Sequence, residues 1–194
     1  MKTMVRFDEC YSTNDKEYLK LAINFYLDNS GLSEYDGKLY ITFTEKMPDN
    51  SSHVDKNSVD GIMTSRGLCR MNINNTYFVY VLADQSHQEH IKTLFHEMCH
   101  VLQYASGKQT LDNNGRIIWN NSIPYPAMMK NLSFSDYEKL PWEVEAREHE
   151  EIFYYKWELA ENAITKKKVW YNKVLDRMFD CVVYLASMIF KDKK

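Results

Sequence analysis

With 194 residues, 44% of them hydrophobic, the chain is long enough to bury one substantial core and short for two, so a single domain over 1–194 is expected. A formal net charge of −3 supplies no global attraction to a phosphate backbone, and nucleic acid is not the expected partner. The four scattered cysteines lack C-x-x-C spacing, no signal-peptide pattern opens the chain, and the longest apolar stretch, CVVYLASMIF, falls short of the roughly 20 residues of a membrane span; a cytoplasmic protein with no membrane segment is expected.

In chain order, NDKEYLKLAINFYLDNSG carries a capping residue at Asn14 or Asp15 and spaces Tyr18, Leu21, Ala22 and Phe25 as one helical face before Gly31. KLYITFT alternates as a strand, with Leu39, Ile41 and Phe43 on one side. Residues 48–61 are polar and rich in turn formers, an exposed loop. GLCRMNINNTYFVYVL then reads as two strands turned at Asn74-Asn75, and Ser86 and Glu89 form a capping box that opens a helix reaching to Gly107. Asn114-Gly115 predicts a second hairpin, Pro124 and Pro126 exclude a regular helix around them, and Pro141 suits the first turn of a further helix. A last helix, from about 166 to 190, has an apolar second half that would permit a homodimer.

The chemistry concentrates in TLFHEMCHVLQY, Thr93 to Tyr104. At 100° per residue, Leu94, Phe95, Met98, Cys99, Val101, Leu102 and Ala105 form one arc, and His96, His100 and Gln103 fall opposite. Histidines four apart stand one turn above each other, so that two imidazoles reach one ion, and Glu97 lies beside them. Catalytic zinc takes three protein ligands and leaves a position for water, so a third group must come from downstream. His149 and the carboxylates of LPWEVEAREHE are the candidates. Glu145 shares a line with Glu148, Ile152, Tyr155 and Leu159, read as the inward stripe, which favours it; Glu143 lines up with Arg147, Glu150 and Tyr154 and reads as stabilising the helix N-terminus.

Thr93 three places before the first histidine, with uncharged residues around His-Glu-x-x-His, resembles the extended zincin signature. Glu145-Ala146 is similar to the glutamate-alanine pair of thermolysin-like enzymes, the gluzincins, and of small bacterial and phage-encoded zincins. GRIIWNNSIPY and LPWEVEAR resemble uncharacterised phage metallopeptidases; the likeness covers roughly Thr93 to Glu151. It implies an α+β, zincin-like domain whose active-site helix packs on a short, mostly antiparallel sheet, with C-terminal helices carrying the third ligand. It implies a zinc metallopeptidase with His96, His100 and Glu145 on Zn2+, acting on a protein or peptide substrate, in the host cytoplasm for a phage-encoded member. Glu97 would take the proton of the zinc-activated water, and Tyr125, Tyr137 or His149 would serve as oxyanion donor. Thermolysin-like enzymes carry an aspartate four residues after the ligand glutamate; His149 stands there instead. A transition-state donor, a replacement ligand and a solvated side chain are all open to it. The alternative function is a zincin-fold binding or regulatory protein with little turnover.

Overall fold

The computed structural model describes residues 1–48, 66–72, 74–112, 116–122, 133–163, 166 and 175. Two compact units divide the chain, Met1–Tyr154 and Tyr155–Lys194, and the fold below belongs to the first. Strand β1 (Lys2–Phe7) leads into helix α1 (Thr13–Ser30), a short 3-10 turn, and strand β2 (Lys38–Thr44). The hairpin of β3 (Gly67–Asn72) and β4 (Thr76–Leu82) follows, then helix α2 (His87–Ala105) and the two short strands β5 (Gln109–Leu111) and β6 (Ile117–Trp119). A one-turn helix α3 (Phe134–Tyr137) precedes helix α4, which runs from residue 141 to 163 within the described chain.

The class is α+β with a small mixed sheet of strand order β1-β2-β4-β3. The expectation of a mostly antiparallel sheet is corrected. β1 pairs with β2 and β2 with β4 in parallel, and only β3 runs antiparallel to its neighbour. Alternation shows that a segment is a strand but carries no direction. Here α1 is the crossover that a parallel β1–β2 pair requires. β1 itself was not anticipated, since MKTMVRF is short and its burial alternates only weakly.

Capping chemistry sets the helix starts. Ser12 caps α1, two or three residues before the anticipated Asn14 or Asp15, and Ser86 caps α2 as anticipated, each in a reciprocal box with the residue three places on, Asp15 and Glu89. Gly31 ends α1 in the left-handed conformation. The buried face of α1 is Leu19, Ala22, Ile23 and Tyr26, rotated from the anticipated one; Leu21 is exposed. Asn74 and Asn75, both at positive φ, turn the β3–β4 hairpin as anticipated.

The core lies between the sheet and α2. Leu39, Ile41 and Phe43 pair in register with Tyr77, Val79 and Val81, and all six are buried. Ile91, Leu94, Phe95, Met98 and Val101 of α2 are fully buried, and this helix packs against β3 and β4. Burying a side chain of this size contributes roughly 1.5–3 kcal/mol, so the helix that carries the histidines is anchored by most of its length. β5 and β6 pair antiparallel, flanking the anticipated Asn114-Gly115 turn, which lies outside the described residues. The segment with Pro124, Tyr125 and Pro126, most of the polar 48–61 loop and nearly all of the last helix also lie outside them. Among the described residues, no helix is long and apolar enough to cross a membrane.

Candidate metal centre

The polar side of α2 does not face solvent. His100, Gln103 and Glu97 are buried, at 8%, 1% and 8% exposure, so the face opposite the apolar arc is an interior surface as well. The helix that covers it is α4. Its apolar stripe, Trp142, Ala146 and Phe153, is buried, while Val144 and Ile152 are exposed. The stripe of Glu145, Ile152, Tyr155 and Leu159, read from the sequence as inward, is therefore an outward one. Tyr155 and Leu159 are exposed too. Seven residues apart on α4, Glu143 and Glu150 share one flank of the buried stripe, and Glu145 takes the other.

This rotation sets which carboxylate meets the histidines. His96, His100 and Glu143 each bring one ligand atom to a common point, and the three atoms lie within 4.8 Å of one another. Nε2 of His96 is 3.2 Å from Nε2 of His100 and 3.2 Å from Oε2 of Glu143, while Nε2 of His100 is 3.4 Å from Oε1 of Glu143. Ligands about 2.0–2.1 Å from a tetrahedral ion stand roughly 3.3–3.4 Å apart, close to the separation of the two imidazole nitrogens and of each from its nearer Glu143 oxygen, the two oxygens serving different rings. Glu145, the anticipated third ligand, is instead ion-paired with Lys108, whose ammonium lies over the Trp119 ring. The pair holds the β5–β6 arm to α4.

Hydrogen bonding behind the rings shows what the triangle is suited to hold. Nδ1 of His96 is 3.2 Å from the Glu150 carboxylate, and Nδ1 of His100 is 2.8 Å from Oε1 of Gln103. The Gln103 amide is oriented by its own donation to the Trp142 carbonyl at 2.9 Å, which turns Oε1 toward the imidazole. Both partners accept, so both Nδ1 atoms carry the proton and both Nε2 atoms of the neutral rings present lone pairs. Two lone pairs and a carboxylate then converge with no donor among them. A cation satisfies such a set, and two imidazoles with one carboxylate match a zinc donor set. Carboxylate and carbonyl acceptors behind the imidazoles are the usual outer support of metal-bound histidine.

Without a metal, protons must take that place. Burial opposes charge on His96, but Glu143 and Glu150 beside it prevail and lift its pKa to about 10. Burial likewise opposes charge on His100, and Glu143 raises it. Burial would raise Glu143, yet His100, His96 and Tyr137 hold it far below the ordinary carboxylate range. Glu97 is shifted up, by burial first, against the pull of His96 and His100. Its carboxylate rests on the start of β3, where a Cβ added at Gly67 would stand 2.5 Å from Oε1 of Glu97 and 2.7 Å from the Thr93 methyl. A side chain at position 67 would have to displace Glu97 or Thr93.

Of the anticipated donors, Tyr137 reaches the site: its hydroxyl donates to Oε1 of Glu143 at 2.5 Å. Burial and then Glu143 keep that hydroxyl protonated. His149 is directed elsewhere, with Nδ1 3.2 Å from the Tyr26 hydroxyl and its ring stacked on Phe153 at 4.3 Å. Tyr125 lies outside the described residues. Glu143, Glu150 and Gln103, which the sequence sets in line with one another or with the histidines, carry site roles not assigned to them there, and Gly67 gave no signal. The i, i+7 pairing of Glu150 with Glu143 was the available signal. His87 and His90 serve other ends, pairing with Asp15 at 3.0 Å and with the Tyr11 hydroxyl at 2.9 Å.

Comparison of the chain with protein-family models, with curated proteins and with solved structures returned no match.

Two predictions follow from this geometry. Glu143→Gln should weaken zinc binding by more than about 100-fold, Glu150→Gln by about 10–100-fold, and Glu145→Gln hardly at all, read by competition with a chromophoric chelator. Loss of zinc in the Glu145 variant with retention in the Glu143 variant would reverse the assignment. The second concerns pH. The folded pKa of His96 is raised, so its ion pairs stabilise the metal-free fold fully below about 6.5 and cease to do so as pH climbs through about 10. Zinc must displace those protons. Zinc uptake at pH 7 should therefore release protons, measured calorimetrically in buffers of differing ionisation enthalpy, and the release should shrink as pH approaches 10. A release that does not change with pH would contradict this protonation scheme.

Proposed function

We propose that the protein is a zinc-dependent peptidase with a zincin-like domain, and that His96, His100 and Glu143 hold the metal. The observation that carries this reading is the convergence of one ligand atom from each of three residues, two of them from His-Glu-x-x-His, within 4.8 Å of one another, with the two imidazole nitrogens 3.2 Å apart. Zinc bound there would acidify water and polarise a carbonyl.

The remaining work falls to side chains of this chain. Glu97 is not one of the converging groups, yet it stands close enough for its charge to act on both histidines. It is the base that accepts a proton from water and returns it to the leaving amine. Burial, which already raises its affinity for a proton, suits it to that exchange. Its position against Gly67 limits the rotamers open to it. Of the anticipated oxyanion donors among the described residues, only Tyr137 stands at the site, and its single hydroxyl proton is donated to Glu143.

Substrate binding by strand addition fits β3. This is an outer strand of the sheet, whereas β4, its hairpin partner, is interior. Leu82 N–H donates to the Arg66 carbonyl, so with Gly67 opposite Val81 the backbone polar groups of Gly67, Cys69 and Met71 point away from β4. An extended peptide pairing there would pass beside Glu97. A peptide-bound structure of an inactive variant with the peptide away from this edge would remove that step.

Replacing Glu97 by Gln tests the reading. With denatured casein or a quenched random peptide library as probe, the zinc-loaded protein should cleave, and Glu97→Gln should lower turnover by about 100-fold or more while zinc content is unchanged. A zinc-loaded wild-type protein that cleaves neither probe would argue for the binding or regulatory alternative.

A further inference from the structure

We infer that Tyr137 is a positioning residue that sets the denticity of Glu143, restricting it to one oxygen on the metal and thereby preserving an open coordination position. This rests on the zinc reading above and adds to it a role for a side chain outside the ligand set.

Glu143 straddles the two histidines. Oε2 lies 3.2 Å from Nε2 of His96 and Oε1 lies 3.4 Å from Nε2 of His100, so both oxygens face the point where the ligand atoms converge. A carboxylate in that attitude is free to bind through both oxygens, which would fill the four positions of a tetrahedral ion and leave water only a fifth. Tyr137 breaks the symmetry. Its hydroxyl donates to Oε1 at 2.5 Å, a charge-assisted bond that draws electron density on that oxygen away from the metal and leaves Oε2 as the better donor.

The bond is held from the backbone. Tyr137 closes α3, which Ser133 caps through the Asp136 N–H. Leu140 N–H donates to the Tyr137 carbonyl at 3.0 Å, and Glu143 N–H donates to the Leu140 carbonyl at 2.9 Å. Consecutive turns thus link the tyrosine to the ligand it touches, and a shift of one moves the other. Tyr137 is 42% exposed as a residue, although its hydroxyl is directed at a buried carboxylate. The ring edge forms part of the boundary between the site and solvent.

Cobalt(II) substitution of the full chain reads coordination number directly. The wild-type protein loaded with cobalt should show the intense visible bands of a four-coordinate ion, and Tyr137→Phe the weaker bands of a five-coordinate one. Zinc affinity in Tyr137→Phe should fall by about 10–100-fold, as for loss of other outer-shell partners. X-ray absorption of the zinc-loaded wild type gives the same answer without a variant: one carboxylate oxygen at bonding distance and the other farther out. Identical cobalt spectra in the two proteins, or two equivalent carboxylate oxygens in the wild type, would overturn the inference while leaving the zinc site standing. A wild-type protein that takes up neither metal would overturn both.

Discussion

The arrangement around His96 and His100 depends on one electrostatic constraint: acceptor atoms cannot be buried facing one another without a positive charge between them. Two imidazole lone pairs and the Glu143 carboxylate meet within a few ångströms in a part of the protein closed to water on most sides. Either protons or a metal must neutralise that meeting. The rise of the His96 pKa to about 10 and the depression of Glu143 are the protonic solution to the same constraint. A metal bound there would exchange one solution for the other.

Holding such a cluster in place is the task of the surrounding fold. Helix α2 is buried on both its apolar arc and its histidine face, so it cannot roll to relieve repulsion between the rings. Helix α4 supplies Glu143 and, two turns later, Glu150, and therefore contacts His96 at both of its nitrogens. Gln103 ties the other imidazole to the Trp142 carbonyl, adjacent in sequence to Glu143. The two helices are thus joined by a network in which nearly every ligand atom has a second reason to be where it is. Across the site, the bare backbone at Gly67 admits the Glu97 carboxylate against β3.

Much of this was legible in the residues, for physical reasons that differ from element to element. The Ser86–Glu89 capping box marks its helix start because the bonds it makes are local, whereas at α1 Asp15 stands in the box as the N3 partner of Ser12 and not as the cap. Asn74-Asn75 announces its turn because few residues tolerate positive φ. His96 and His100 meet because four residues make nearly one helical turn. The choice between Glu143 and Glu145 was not local. It depends on which flank of α4 meets α2, and two apolar stripes compete on that helix, one with Ile152, the other with Trp142, Ala146 and Phe153. Weighing the aliphatic residues selected the wrong stripe; the tryptophan and the small alanine, which allow close packing, mark the buried one. Strand direction was likewise invisible, since parallel and antiparallel pairing share the same alternation.

The most direct measurement is the zinc content of protein purified without added metal, by elemental analysis. An interior set of three convergent acceptors predicts one tightly held zinc per chain, lost together with Glu143. Protein that is isolated empty and stays empty when zinc is supplied would contradict the account, leaving the histidines and carboxylates as a buried, proton-linked ion-pair network joining two helices.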